Sequence, residues 1–260
     1  MLVLAPYPDG ATQRVPEGPR AIEIQRGDAT VRAWSFEPEG AARGTVLLLH
    51  GIRSTKQHFV ARARQHTTRG LRAIVVDSRG HGESTGRYLT YGVEEARDLS
   101  RLTDTLEQRG LLAPPLSIVG TSYGAATALL LAAHDPRVAR VAACAPFASL
   151  RQVVPAYLGW QLGPLARLVP SALVDELIDG AARQAGFDAD DACPRCVAPR
   201  IKARVLLVHS RDDERIPFHH SLEIRDALRS AAELMLIDGV SHVATGSETA
   251  VMAKIDNFIR

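Results

Sequence analysis

The stretch "LSIVGTSYGAATALLLAA", residues 116–133, decides the fold. Leu116–Val119 is a short apolar run of the kind that forms a strand buried on both faces. It ends abruptly in Gly120-Thr121-Ser122-Tyr123-Gly124, and a small-residue, helix-favouring run follows at once. A serine between two glycines at a strand-to-helix join matches G-x-S-x-G, the nucleophile elbow. The turn is tight and strained, so it thrusts the hydroxyl above the sheet edge. The flanking glycines keep side chains out of the crowded turn. The helix aims its N-terminal N–H groups and positive dipole end at the same place. The alternative is a Gly/Ser turn with no chemistry; the strand-turn-helix context favours Ser122 as a nucleophile.

The same rhythm runs outward in both directions. "GTVLLLHG" (44–51), "LRAIVVDSRG" (71–80), "RVARVAACAP" (137–146) and "ARVLLVHS" (203–210) read as further buried strands, and "AELMLID" (232–238) as a last one. Helices are expected near 57–68, over 93–110 closed by Gly110, from Tyr123, over 218–230 and over 248–260. Upstream, "AIEIQR" (21–26) and "TVRAWSFE" (30–37) alternate like antiparallel strands, with Gly27-Asp28 as their hairpin turn. The expected fold class is therefore α/β: a mostly parallel central sheet of about eight strands flanked by helices. Residues 147–200 break the rhythm with five prolines, from Pro155 to Pro199, and short apolar helical pieces. They read as a small helical cap inserted after the sixth strand, with 1–146 and 201–260 as the core.

The bulk composition narrows the function classes. Hydrophobic residues make up 46% of the 260, enough for a large core. The formal net charge of +2 gives no electrostatic reason to expect nucleic acid or an anionic membrane as a partner. No uncharged apolar run approaches a membrane span, and "MLVLAPYPDG" lacks the basic and long apolar parts of a signal peptide, so a soluble cytoplasmic protein is expected. Three cysteines, an odd count, argue against a disulfide framework.

A nucleophilic serine needs a base and an orienting acid, in the chain order Ser, acid, His for this architecture. "IDGVSHV" offers His242 in a loop past the last strand, and "LLVHSRDDERIP" offers Asp212, Asp213 and Glu214 past the strand before it.

With these pieces in place, the chain resembles the α/β-hydrolase superfamily, in its capped serine-hydrolase group (esterase, thioesterase and serine aminopeptidase-like). The resemblance rests on His50-Gly51 after a strand, "DSRGHGESTG" (77–86), "GTSYGAA" (120–126), "HSRDDERIP" (209–217) and "GVSH" (239–242), which together span nearly the whole chain. It implies that the acid stands four residues before a proline, which through Pro217 selects Asp213. Ser210 stands where the resemblance has a glycine. It also implies an oxyanion hole made by the backbone N–H groups of Ile52 and Tyr123. His50 is expected to order the loop rather than to titrate in catalysis.

Other motifs carry less. Gly80, Gly82 and Gly86 superficially suggest a dinucleotide fingerprint, but the third glycine is one position late and no helix begins promptly. Cys193-Pro194-Arg195-Cys196 lacks the further ligands of a zinc site and the setting of a redox motif, so it reads as a connector. His219 and His220 would point about 100° apart on a helix, poor geometry for one metal.

The expected function is a cofactor-independent, metal-free serine hydrolase with a small-molecule acyl substrate, cleaving an ester or thioester through Ser122, His242 and Asp213. Amidase, peptidase, lactonase, acyltransferase and C–C hydrolase activities use the same groups. A non-catalytic binding protein on this scaffold is the rival class, and its expected mark is a lost triad member. Arg53, Tyr157 and Trp160 are candidate substrate contacts, and substrate choice is expected to reside mainly in residues 147–200.

Overall fold

The computed structural model describes residues 5–8 and 18–260. Most of the N-terminal stretch "MLVLAPYPDG" therefore lies outside the described residues. Eight strands form one sheet: β1 (Arg20–Arg26), β2 (Ala29–Phe36), β3 (Thr45–Leu49), β4 (Arg72–Asp77), β5 (Leu116–Thr121), β6 (Val138–Cys144), β7 (Arg204–Ser210) and β8 (Ala232–Ile237). Their spatial order is β8-β7-β6-β5-β3-β4-β2-β1. Every pairing is parallel except those of β2, which runs against both β1 and β4. The hairpin turn at Gly27-Asp28 brings Arg26 opposite Ala29.

Successive side chains of a strand point to opposite faces, and both faces here are apolar. Leu47 and Leu49 of β3 join Ile74 and Val76 of β4 on one face, beneath α2 (Val93–Gln108) and α3 (Tyr123–Ala132). Val46 and Leu48 join Ala73 and Val75 on the other, beneath α1 (Val60–Thr67) and α8 (Thr249–Phe258). That is why these strands read as continuous apolar runs. Helix α3 is buried at every position, so it has no polar face, and its small residues let it lie against both the sheet and α2.

Between β6 and β7 lie α4 (Leu150–Leu162), α5 (Ser171–Ala185) and the short α6 (Pro194–Val197). Ser149 caps α4 by accepting from the Gln152 N–H, and Gly186 ends α5 in a left-handed conformation. A third apolar cluster, including Phe147, Leu150, Val174 and Ile178, seats α4 and α5 on Tyr91, Tyr123 and Ile216 at the end of the sheet. Helix α6 instead packs on α3 and on α7 (His219–Ala227), and Val197 joins their core. Among the described residues no helix is long and apolar enough to cross a membrane.

Three buried histidines make stability depend on acid. Burial pushes His50 down to about 3, and burial pushes His66 and His220 down to about 4, with Arg62 adding to the effect at His66 and His219 at His220. An unfolded chain titrates its histidines near 6.5. Protonation thus favours the unfolded state, and stability falls as pH drops below about 6.5, until about 4 for His66 and His220 and about 3 for His50. Three such groups give a slope on the order of 4 kcal/mol per pH unit near pH 5. Urea unfolding at pH 7.5 and pH 5 measures it; equal stabilities at the two values contradict the assignment.

Candidate active site

Ser122 joins β5 to α3 with φ +52° and ψ −115°, a left-handed conformation unusual for a serine. Its N–H donates to the Cys144 carbonyl at 2.7 Å, which ties the turn to the next strand. The glycines are required by close backbone approach. A Cβ on Gly120 would sit 2.4 Å from the Gly124 carbonyl oxygen, and one on Gly124 would sit 2.5 Å from the Leu49 carbonyl oxygen. Neither neighbour is a side chain that can swing away. Gly124→Ala is expected to cost about 3 kcal/mol or more of stability. Chemical denaturation reads this, and wild-type stability in that variant contradicts the packing described.

His242 bridges Ser122 and Asp213. Its Nε2 lies 2.9 Å from Ser122 Oγ and its Nδ1 lies 2.7 Å from Asp213 Oδ2. A carboxylate only accepts, so Nδ1 carries the proton and Nε2 is left to accept from the serine hydroxyl. The Asp213 carboxylate is itself held from behind. Its Oδ1 accepts the N–H groups of Arg215 (2.9 Å) and Ile216 (2.8 Å). His209 Nε2 lies 3.3 Å from Oδ2. Burial alone would push Asp213 up, but hydrogen bonds from His209, His242 and the Ile216 N–H outweigh it and hold the carboxyl well below its ordinary value. It is ionised throughout the neutral range.

The three neighbouring acids have separate tasks. Asp212 accepts from the Gly239 N–H (2.6 Å), and Glu214 accepts from the His242 backbone N–H (3.0 Å). Only Asp213 meets the imidazole. Ser210 keeps this register, because its hydroxyl accepts from the Asp212 N–H at 3.1 Å.

The N–H groups of Ile52 and Tyr123 have no acceptor among the described residues. Two neutral histidines fix the loop that carries Ile52. His50 accepts the Ser78 N–H on Nε2 (3.1 Å) and donates from Nδ1 to the Gly51 carbonyl (2.8 Å). His81 donates from Nδ1 to the Arg79 carbonyl (3.0 Å) and accepts the Arg53 N–H on Nε2 (3.3 Å). Below them, buried Lys56 pairs with Asp77 (2.5 Å) and Glu83 (2.6 Å) and lies over the Trp34 ring. The glycine-rich segment 77–86 is the loop built around that pair.

A cavity of about 650 Å³ opens at Ser122 and His242. Its walls come mainly from residues 51–65 and 242–255, including Ile52, Phe59, Met252 and Ile255. From residues 147–200, only Tyr157 contributes. Arg53 is exposed and outside the walls; Trp160 is 44% exposed, with the Arg215 guanidinium 4.7 Å from its ring centre.

A family model described as "Serine aminopeptidase, S33" matches residues 40–195, more than half of the chain. The chain belongs to this family. That family is one of serine hydrolases in the α/β-hydrolase superfamily, and the chain has the α/β-hydrolase fold. The matched residues include the Ile52 loop and the Ser122 elbow; Asp213 and His242 lie beyond them. The uncharacterized protein YqkD of Bacillus subtilis is 28% identical over 202 residues, 76% of this chain and 64% of that protein. The mouse sn-1-specific diacylglycerol lipase ABHD11 is 33% identical over 121 residues, 46% of this chain and 34% of that protein. The chain thus spans less than two thirds of either curated relative. The esterase Pf2001 of Pyrococcus furiosus shares the fold, with a TM-score of 0.76 at 18% identity over 98% of this chain and 97% of that one.

Two features of this S33-family chain differ from the sequence reading. Cys193 and Cys196 are joined as a disulfide, with Cα atoms 5.2 Å apart. The odd count of three leaves Cys144 as a buried free thiol, which burial pushes up to about 12. Counting cysteines could not reveal a pair closed across one short turn. His209, the support behind Asp213, was also missed. Its only signal was a histidine at the end of a buried apolar strand, where a partner is needed: the Nε2–H is shared between the Ile216 carbonyl (2.8 Å) and Asp213 Oδ2 (3.3 Å), and Nδ1 accepts from Ser221 (2.7 Å).

Proposed function

We propose that the protein cleaves carboxylic esters or thioesters of small substrates through an acyl-enzyme on Ser122. The observation that carries this reading is His242, hydrogen-bonded through Nε2 to Ser122 and through Nδ1 to Asp213. In this mechanism Ser122 Oγ attacks the carbonyl carbon while Nε2 takes its proton. The carbonyl oxygen, now an alkoxide, accepts from the Ile52 and Tyr123 N–H groups. The imidazolium is stabilised by ionised Asp213. Nε2 then protonates the departing alcohol or thiol. Water enters, gives its proton to Nε2, and attacks the acyl-enzyme; Ser122 leaves with that proton.

The wall chemistry favours esters over aminopeptidase substrates. An aminopeptidase must hold a free ammonium, which calls for a carboxylate. Among the described residues no Asp or Glu lines the cavity. The similarity to ABHD11 and to the Pf2001 esterase leans the same way. Helices α4 and α5 act here as the cap, and Tyr157 is its contact with the substrate. The test compares p-nitrophenyl acyl esters and acyl thioesters with aminoacyl p-nitroanilides. The expected kcat/KM for the best ester is on the order of 100-fold or more above any anilide, and a preference for aminoacyl anilides overturns this reading.

A further inference from the structure

The cavity continues past Ser122 into a groove between α1 and α8, and its charge is one-sided. Its two guanidinium groups, Arg62 and Arg215, face no carboxylate on the walls. Arg215 sits toward the cap, stacked on Trp160 and paired with Glu214 at 3.2 Å. Arg62 belongs to the groove. It crosses from α1 to α8, donating from Nη2 to the Met252 carbonyl at 3.1 Å and pairing with Asp256 at 2.8 Å. Asp256 is also claimed by Arg69. His66 lies 3.8 Å from the same carboxylate, but burial keeps it neutral at neutral pH.

Two guanidinium groups therefore share one carboxylate, and a formal positive charge is left over beside the groove. The Arg62 side chain is 12% exposed, so little water screens it. Burial lowers its pKa from the ordinary arginine value, a penalty that a bound anion relieves. Phe59, Val119, Met252 and Ile255 give the groove apolar surface, Ser54 and His58 add polar groups to the cavity, and Gln65, whose Oε1 accepts from Arg62 Nη1 at 3.4 Å, stands at its exposed end. Apolar walls around one under-neutralised guanidinium suit a chain of methylenes that ends in an anion.

We propose that Arg62 is a specificity residue, and that the preferred substrates are esters or thioesters carrying a carboxylate at the end of the aliphatic arm that occupies the α1–α8 groove. This inference rests on the esterase reading of Ser122 and deepens it. Gln65 stands next to the bound carboxylate and donates to it. Methylenes of the arm pack on Phe59 and Ile255, so arm length sets how well the carboxylate reaches Arg62.

The experiment measures kcat/KM for p-nitrophenyl hemiesters of succinic through suberic acids, each against its methyl-capped, uncharged counterpart. A second arm places the charge on the leaving group, comparing 4-carboxyphenyl with 4-(methoxycarbonyl)phenyl esters. The charged compound is expected to be preferred by about 10-fold or more at the best length in one arm, a typical size for one added charged contact. The preference should shrink as salt is raised. Arg62→Gln should bring the charged-to-neutral ratio close to one. Gln65→Glu, on an exposed position that cannot unfold the core, should lower the ratio by repulsion. A ratio at or below one in both arms overturns the proposal. So does an unchanged ratio in folded Arg62→Gln and Gln65→Glu proteins. Fluorophosphonate labelling of the wild type separates the levels: a labelled Ser122 without charge preference defeats this inference alone, whereas an unlabelled Ser122 defeats the esterase reading beneath it.

Discussion

Ser122→Ala protein is expected to fold normally and to lose ester turnover by a factor on the order of 10³–10⁶. The range follows from what remains. The Ile52 and Tyr123 N–H groups and the cavity still bind and polarise a carbonyl, so some rate over water persists. What disappears is the hydroxyl 2.9 Å from His242 Nε2, the only one within hydrogen-bond reach of it among the described residues. The cost to folding is small. Among the described residues Ser122 Oγ has no bond besides that one, while its backbone N–H, which ties the turn to Cys144, is kept. Alanine also meets the left-handed φ of +52° with the same Cβ that serine carries, so the strain is unchanged. Turnover of p-nitrophenyl acetate or butyrate, beside thermal unfolding, checks both halves. Wild-type turnover in a pure, folded Ser122→Ala sample removes the mechanism.

The second large effect separates the acids. Asp213→Asn is expected to lower kcat by about 10³–10⁴-fold. Asp212→Asn and Glu214→Gln should each cost less than about 10-fold. The physical reason is the tautomer. The Asp213 carboxylate accepts from Nδ1–H and so leaves Nε2 free to accept from Ser122. An amide placed there can donate to Nδ1, which drives the proton to Nε2 and leaves nothing to receive the serine proton. Asp212 and Glu214 hold backbone N–H groups, at Gly239 and His242, and Glu214 also pairs with Arg215; neither meets the imidazole, so their loss loosens loops without altering the ring's protonation. Steady-state kinetics on the three variants decides, and a larger loss at Asp212 contradicts the geometry.

Much of this was legible before any coordinates. The apolar run ending in Gly-x-Ser-x-Gly located the elbow because the constraint is local: Gly120 and Gly124 are within a few residues of the atoms they must not touch, apart from the Leu49 strand beside them. The alternating β1–β2 hairpin and the doubly buried strands followed from periodicity alone. Asp213 needed more, since three acids in a row are indistinguishable by composition; the resemblance to the α/β-hydrolases, which places the acid four residues before Pro217, selected among them. What sequence could not supply is long-range. Arg62 and Met252 are 190 residues apart and meet only because α1 and α8 lie side by side on one face of the sheet. The proline-punctuated apolar segment 147–200 drew attention as the pocket, yet only Tyr157 of it reaches the cavity. Its other large apolar residues hold α4 and α5 to the sheet end, as Val174 and Ile178 do, or face outward, as Leu165 and Leu168 do.

The most direct test is intact-mass and peptide mapping of the protein after exposure to a small fluorophosphonate. The account predicts one phosphonyl group per chain, on Ser122, formed rapidly in the wild type and on the order of 100-fold or more slower in His242→Ala, which lacks the base. Stable, folded protein that takes up no label, or takes it at a residue other than Ser122, contradicts the account.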